Sequence, residues 1–131
     1  MNELLIFGEL HKFLNSLGPM KCTIAPKSLS IGYKPLSLWG KTSKFATLYG
    51  DKRYECLILH VDPGKPDSTK GKEIQKEIQK LLNFDISELR SFKLKKHEAF
   101  VPLELLKTNE AINLVKNFVS LQYEQIVTNK N

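Results

Sequence analysis

The chain has 131 residues, 41% of them hydrophobic and 26% charged, a composition that fits one globular domain able to bury a core without a metal or disulfide staple. Lys plus Arg number 20 against 14 Asp plus Glu, a net charge of +6 that favours acidic partners such as nucleic acid while also serving solubility. Only Arg53 and Arg90 are arginines, which argues against dense bidentate base reading, the task Arg performs best.

Residues 3–17 predict a helix, with Phe7, Leu10, Leu14 and Leu17 at helical spacing, Leu4 and Phe13 beside that stripe, and Gly18-Pro19 as the stop. Glu3, Glu9, His11 and Lys12 interrupt the apolar start, and no small-residue cleavage site follows, so it does not read as a signal peptide. No apolar run approaches the ~18 residues of a membrane span. The expectation is a cytoplasmic protein, with Cys22 and Cys56 as buried free thiols. Lys21–Ile24 and Ser28–Tyr33 read as short strands, the second alternating with Leu29, Ile31 and Tyr33 on one face. The stretch 34–44, with Trp39, is a loop or irregular strand. From Lys44 to Pro63 two apolar runs flank Gly50-Asp51-Lys52-Arg53, the pattern of a β-hairpin. Residues 62–72 are Pro-, Gly- and Lys-rich and read as an exposed loop.

A second helix is expected over about residues 72–82, burying Ile74, Ile78, Leu81 and Leu82. Residues 88–95 alternate as a strand, His97-Glu98 suggests a turn, and Ala99–Leu103 reads as a strand whose Pro102 implies a sheet edge or strand end. Thr108 or Asn109 caps a final helix with Ile112, Val115, Val119 and Ile126 in one seam, widened by Leu114, Phe118 and Leu121; residues 128–131 are a frayed tail. Strands clustered apart from helices predict one α+β domain over 1–131. Its mainly antiparallel sheet has about five to six strands, packed with an N-terminal, a middle and a C-terminal helix.

The chain lacks a G-x-S-x-G elbow, a phosphate-binding P-loop and zinc-type C-x-x-C spacing, so it offers no catalytic or metal-ligating set. Cys56 and His60 share a strand face but stand roughly 13 Å apart along it, too far to share an ion; His60 and Asp62 are about 7 Å apart. Basic residues are more suggestive. Arg90, Lys93, Lys95, Lys96 and His97 cluster on one predicted strand and turn, and Lys34 and Lys44 flank Trp39. Lysines around an aromatic suit phosphate contacts combined with base stacking.

The segment KFATLYGDKRYECLILHV, preceded by KSLSIGYKP, and the segment LKKHEAFVPL, ahead of a helix ending near SLQYEQIV, together resemble the small MmcQ/YjbR-like proteins and a related domain found beside nucleases. IFGELHKFLNSLG is similar to the first helix of that second domain. The resemblance rests on short motifs over most of the chain. It implies a compact α+β fold of the double-wing, CyaY-like type, with DNA binding as its role and no catalytic residues. Glu98 departs from the pattern, standing where many relatives carry Trp after the His. A partial match at Ile31-Gly32-Tyr33-Lys34-Pro35 resembles small iron-chaperone-like proteins. An iron role needs clustered carboxylates, to which only Asp85 with Glu88, or Asp62 with Asp67, come close. The sequence therefore predicts a small non-enzymatic binding module without a cofactor. Its nucleic-acid-binding residues are Lys34, Trp39, Lys44, Arg90, Lys93, Lys95, Lys96 and His97. A protein-interaction or small-ligand domain is the alternative.

Overall fold

The first helix, α1 (Glu3–Ser16), buries Ile6, Leu10 and Leu14 completely. Three such side chains contribute roughly 1.5–3 kcal/mol each by leaving water. The computed structural model describes residues 3–36, 44–51, 55–61, 69–85 and 98–128. The buried stripe is rotated from the expected one: Ile6 is its first member, Phe7, Phe13 and Leu17 are half-buried, and Leu4 is 78% exposed. Ile6, Leu10 and Leu14, at i, i+4 and i+8, form the fully buried line, and the half-buried side chains widen it.

Five strands follow: β1 (Met20–Ala25), β2 (Ser30–Pro35), β3 (Ala46–Tyr49), β4 (Cys56–His60) and β5 (Glu98–Pro102). They form one antiparallel sheet in the order β1-β2-β3-β4-β5. Between β4 and β5 lies α2 (Lys70–Leu82), and α3 (Asn109–Thr128) closes the chain. The fold is α+β, with helices at both ends and in the middle. The predicted strand over 88–95 lies outside the described residues.

One face of the sheet carries Tyr33, Ala46, Leu48, Leu57, Leu59, Ala99 and Val101 into the main core, against α1, α3 and the Ile74 and Ile78 side chains of α2. The Phe45 ring meets Tyr123 of α3 edge-on, centroids 5.4 Å apart. The Lys116 ammonium of α3 donates to Glu9 Oε2 of α1 at 2.6 Å, tying the two helices together. Thr108 caps α3, its Oγ1 accepting from the Ala111 N–H at 3.1 Å.

Several details differ from the sequence reading. The β1–β2 connection is a short 3₁₀ turn, Pro26–Ser28, ending at Leu29 in the left-handed region with φ 51°. Leu29 therefore leaves the alternation that includes Ile31 and Tyr33, and is exposed. In α2 the buried positions are Gly71, Ile74, Gln75 and Ile78, while Leu81 is exposed. Leu114 and Leu121 of α3 are likewise exposed, and Tyr123 takes a core position instead. Glu98 opens β5 rather than lying in a turn. Of the two thiols, Cys56 is buried but Cys22, on the edge strand β1, is exposed; its Sγ donates to Asn15 Oδ1 of α1 at 3.3 Å.

The other edge is closed by a side chain. The Leu103 N–H donates to the Glu55 carbonyl at 3.0 Å, which fixes the phase of the β4–β5 ladder. Ala99 and Val101 then face β4, and Phe100 and Pro102 face outward. Pro102 sits where no ladder N–H is required. Phe100 is met by Gln75 of α2: its N–H donates to Gln75 Oε1 at 2.5 Å, and its carbonyl accepts from Gln75 Nε2 at 3.2 Å. One amide thus mimics one residue of a neighbouring strand. α2 ends at Asn83 (φ 55°), and the Phe84 N–H returns to the Gln79 carbonyl at 3.0 Å.

Candidate functional site on the second face of the sheet

Alternation sends every other residue of each strand to the face opposite the main core. Its apolar part is small: Cys56, Ile58 and Phe100, flanked by Tyr49 and Phe84. Burial, and secondarily the nearby Glu98 charge, push the Cys56 thiol well above the usual range, so it stays neutral and unreactive.

Beside this cluster runs a polar row. Thr47 Oγ1 lies 3.1 Å from His60 Nε2, and His60 Nδ1 lies 3.7 Å from Glu98 Oε2. The register places His60 directly opposite Glu98, and Thr47 one strand away beside Ile58. With the Glu98 carboxylate favouring a proton on Nδ1, Nε2 accepts from the Thr47 hydroxyl. The order of atoms is that of a nucleophile, base and orienting acid. Thr47, however, is only 2% exposed in mid-strand, so its oxygen cannot be approached by a substrate carbonyl. The row satisfies a buried hydroxyl and holds the ring in place.

The basic part lies toward β1. Lys21 of β1 and Lys34 of β2 are direct register partners on this face. Lys44 joins them through a break in alternation: Phe45 and Ala46 both enter the main core, which turns Lys44 to the other side. Its stem lies over Gly32, where a Cβ would come within 2.7 Å of Lys44 Cδ. Gly32 is what makes room for it. Among the described residues, none of the three lysines has a carboxylate partner within ion-pair distance. Like charges directly opposite one another destabilise a strand pair, so this row carries a folding cost.

Of the residues expected to bind nucleic acid, the structure brings Lys34 and Lys44 to one face and adds Lys21. Trp39, Arg90, Lys93, Lys95, Lys96 and His97 lie outside the described residues. Lys21 was legible only as a strand residue; its proximity to Lys34 depends on the β1–β2 register. His11, on α1, is a packing residue: Tyr33 OH lies 2.7 Å from its Nδ1. Burial raises the Tyr33 phenol far above its ordinary range, so it stays protonated.

Among the described residues, no group of three or more His, Cys, Asp or Glu could hold a metal ion, and no helix is long and apolar enough to cross a membrane. Comparison with known proteins finds no matching family model, no matching curated protein and no matching solved structure.

Proposed function

We propose that the chain is a small non-enzymatic binding module of the double-wing type that holds a nucleic acid through the basic part of its second sheet face. The observation that carries this reading is the convergence of Lys21, Lys34 and Lys44 around Gly32, without a described carboxylate to neutralise them. A polyanion relieves the repulsion between Lys21 and Lys34, and Gly32, by making room for the Lys44 stem, adds a third ammonium to the same face. Arg90, Lys93, Lys95, Lys96 and His97 belong to the proposed contact set, with Trp39 as a stacking residue.

Binding of single- and double-stranded DNA and RNA oligonucleotides, titrated against salt, tests it. Log affinity should fall linearly with log salt, by roughly 0.7–0.9 per phosphate neutralised. Lys34→Glu should weaken binding to all sequences alike and lower that slope, while unfolding stability holds or rises by up to about 1 kcal/mol, because Glu opposite Lys21 replaces a repulsive pair by an attractive one. Absence of binding at low salt sinks the reading. A protein-interaction role has one observation in its favour, the open edge of β1.

A further inference from the structure

The two edges of the sheet are treated differently. β5 is closed by Gln75, whereas no described residue closes β1. The Pro19 carbonyl accepts from the Leu36 N–H at 3.0 Å, which sets the phase of β1. Lys21, Thr23 and Ala25 exchange bonds with β2, and Met20, Cys22 and Ile24 point their N–H and C=O groups outward. Among the described residues, none of these outward groups has a partner. From Lys21 to Ala25 every residue is exposed, Ile24 at 68%. An open edge with exposed apolar side chains is a template for another strand.

We propose that β1 pairs antiparallel with β1 of a second copy, about a two-fold axis through Cys22. The strand's own pattern selects this partner and this register. Outward bonding groups sit only at Met20, Cys22 and Ile24, so a two-fold pairing must centre on one residue. Centred on Cys22, Met20 faces Ile24 of the other copy at both ends and Cys22 faces Cys22, giving about six main-chain bonds. Centred on Lys21, the two lysines would stand directly opposed. Centred on Thr23, Met20 would meet Pro26, which lies in the 3₁₀ turn with no N–H and with its carbonyl already accepting from Leu29, so only the two Cys22–Ile24 pairs bond, giving about four bonds. In the Cys22 register Lys21 faces Thr23, so no lysine opposes another. The Met20–Ile24 pairs lie on the side toward α1, the side on which the Cys22 thiol reaches Asn15, and they cover the exposed Ile24.

The pairing is short, so association is concentration-dependent rather than obligate. Each copy carries +6, so raised salt strengthens it by screening repulsion. That sign is opposite to nucleic-acid binding, which lets either proposal fail without the other.

Sedimentation velocity of the reduced full chain, across concentration and salt, tests the association. Dimer should grow with both, and Ile24→Lys should weaken it roughly tenfold or more while leaving the monomer folded. Mild oxidation with oxidised glutathione tests the register. Thiol–disulfide exchange should join the two Cys22 sulfurs and release two reduced glutathiones, since directly opposed bonded pairs sit at about 5.5 Å between Cα atoms, within disulfide reach. In the Cys22→Ser background, Thr23→Cys should not cross-link, because position 23 lies on the other face opposite Lys21. A monomer at every concentration and salt overturns the proposal. So does cross-linking at position 23 as efficient as at Cys22.

Discussion

Replacing Gln75 should destabilise this protein more than its place on a charged, amphipathic helix suggests. Gln75→Met keeps the side-chain length, supplies no amide, and removes both hydrogen bonds to the Phe100 backbone. Gln75 and Phe100 are 7% and 4% exposed, so water replaces the lost partner poorly. Each buried hydrogen bond lost while its other half stays desolvated costs about 1–3 kcal/mol. The bond between Gln75 Nε2 and Gln79 Oε1, at 3.2 Å on the helix surface, adds little. Two backbone bonds give a loss of about 2–6 kcal/mol, reduced by the apolar contact Met gains, to a working value of about 2–4 kcal/mol. For a chain of this size that lowers the melting temperature by roughly 10 °C. Urea denaturation should show a reduced midpoint with an unchanged slope, since the surface exposed on unfolding is the same. Gln75→Glu should be no better, because a carboxylate can accept from the Phe100 N–H but cannot donate to its carbonyl. A loss below about 0.5 kcal/mol for Gln75→Met would refute the idea that this amide closes the sheet edge.

Two glycines should respond oppositely to the same substitution. Gly18→Ala places a Cβ within 2.4 Å of the Tyr123 hydroxyl, at the end of a rigid and buried ring, and should cost about 1–3 kcal/mol in denaturant titration. Gly32→Ala meets only the flexible, exposed Lys44 stem, which can swing aside, so stability should hold within about 0.5 kcal/mol. Equal losses at the two sites would contradict the packing described. The Glu9 carboxyl is held below its ordinary value of 4.5 by the Lys116 hydrogen bond and, secondarily, by the Lys116 charge. A depressed folded-state value means that this contribution is present above about pH 4.5 and fades as the pH falls through the folded-state value. Stability measured from neutral to acid pH should therefore fall less steeply in Lys116→Met than in the parent protein; identical acid limbs would show that the α1–α3 pair contributes nothing.

Local signals in the chain were sufficient for the elements themselves. The Gly18-Pro19 stop, the Thr108 cap and the alternation around Tyr33 each act over a few residues, and α1, α3 and β2 lie within a residue or two of where they point. The faces of the helices were less legible. Leu4, Leu81, Leu114 and Leu121 are as apolar as the residues that are buried, and only the line along which each helix meets the sheet decides which of them stay in water. Gln75 illustrates the same limit from the polar side: its hydropathy argues for solvent, and nothing near it in sequence announces the edge of β5.

Composition and neighbours a few residues apart were enough to read an α+β chain with a net charge of +6, the stop after α1 and the cap of α3. Only the tertiary structure decided that Lys21 and Lys34 face each other, that a break at Phe45–Ala46 turns Lys44 over Gly32, and that Thr47, His60 and Glu98 form one row. The physical reason is register. A one-residue slip in any strand pair would send each of these side chains to the opposite face, and register is set by the whole core and its connections rather than by the strand's own residues.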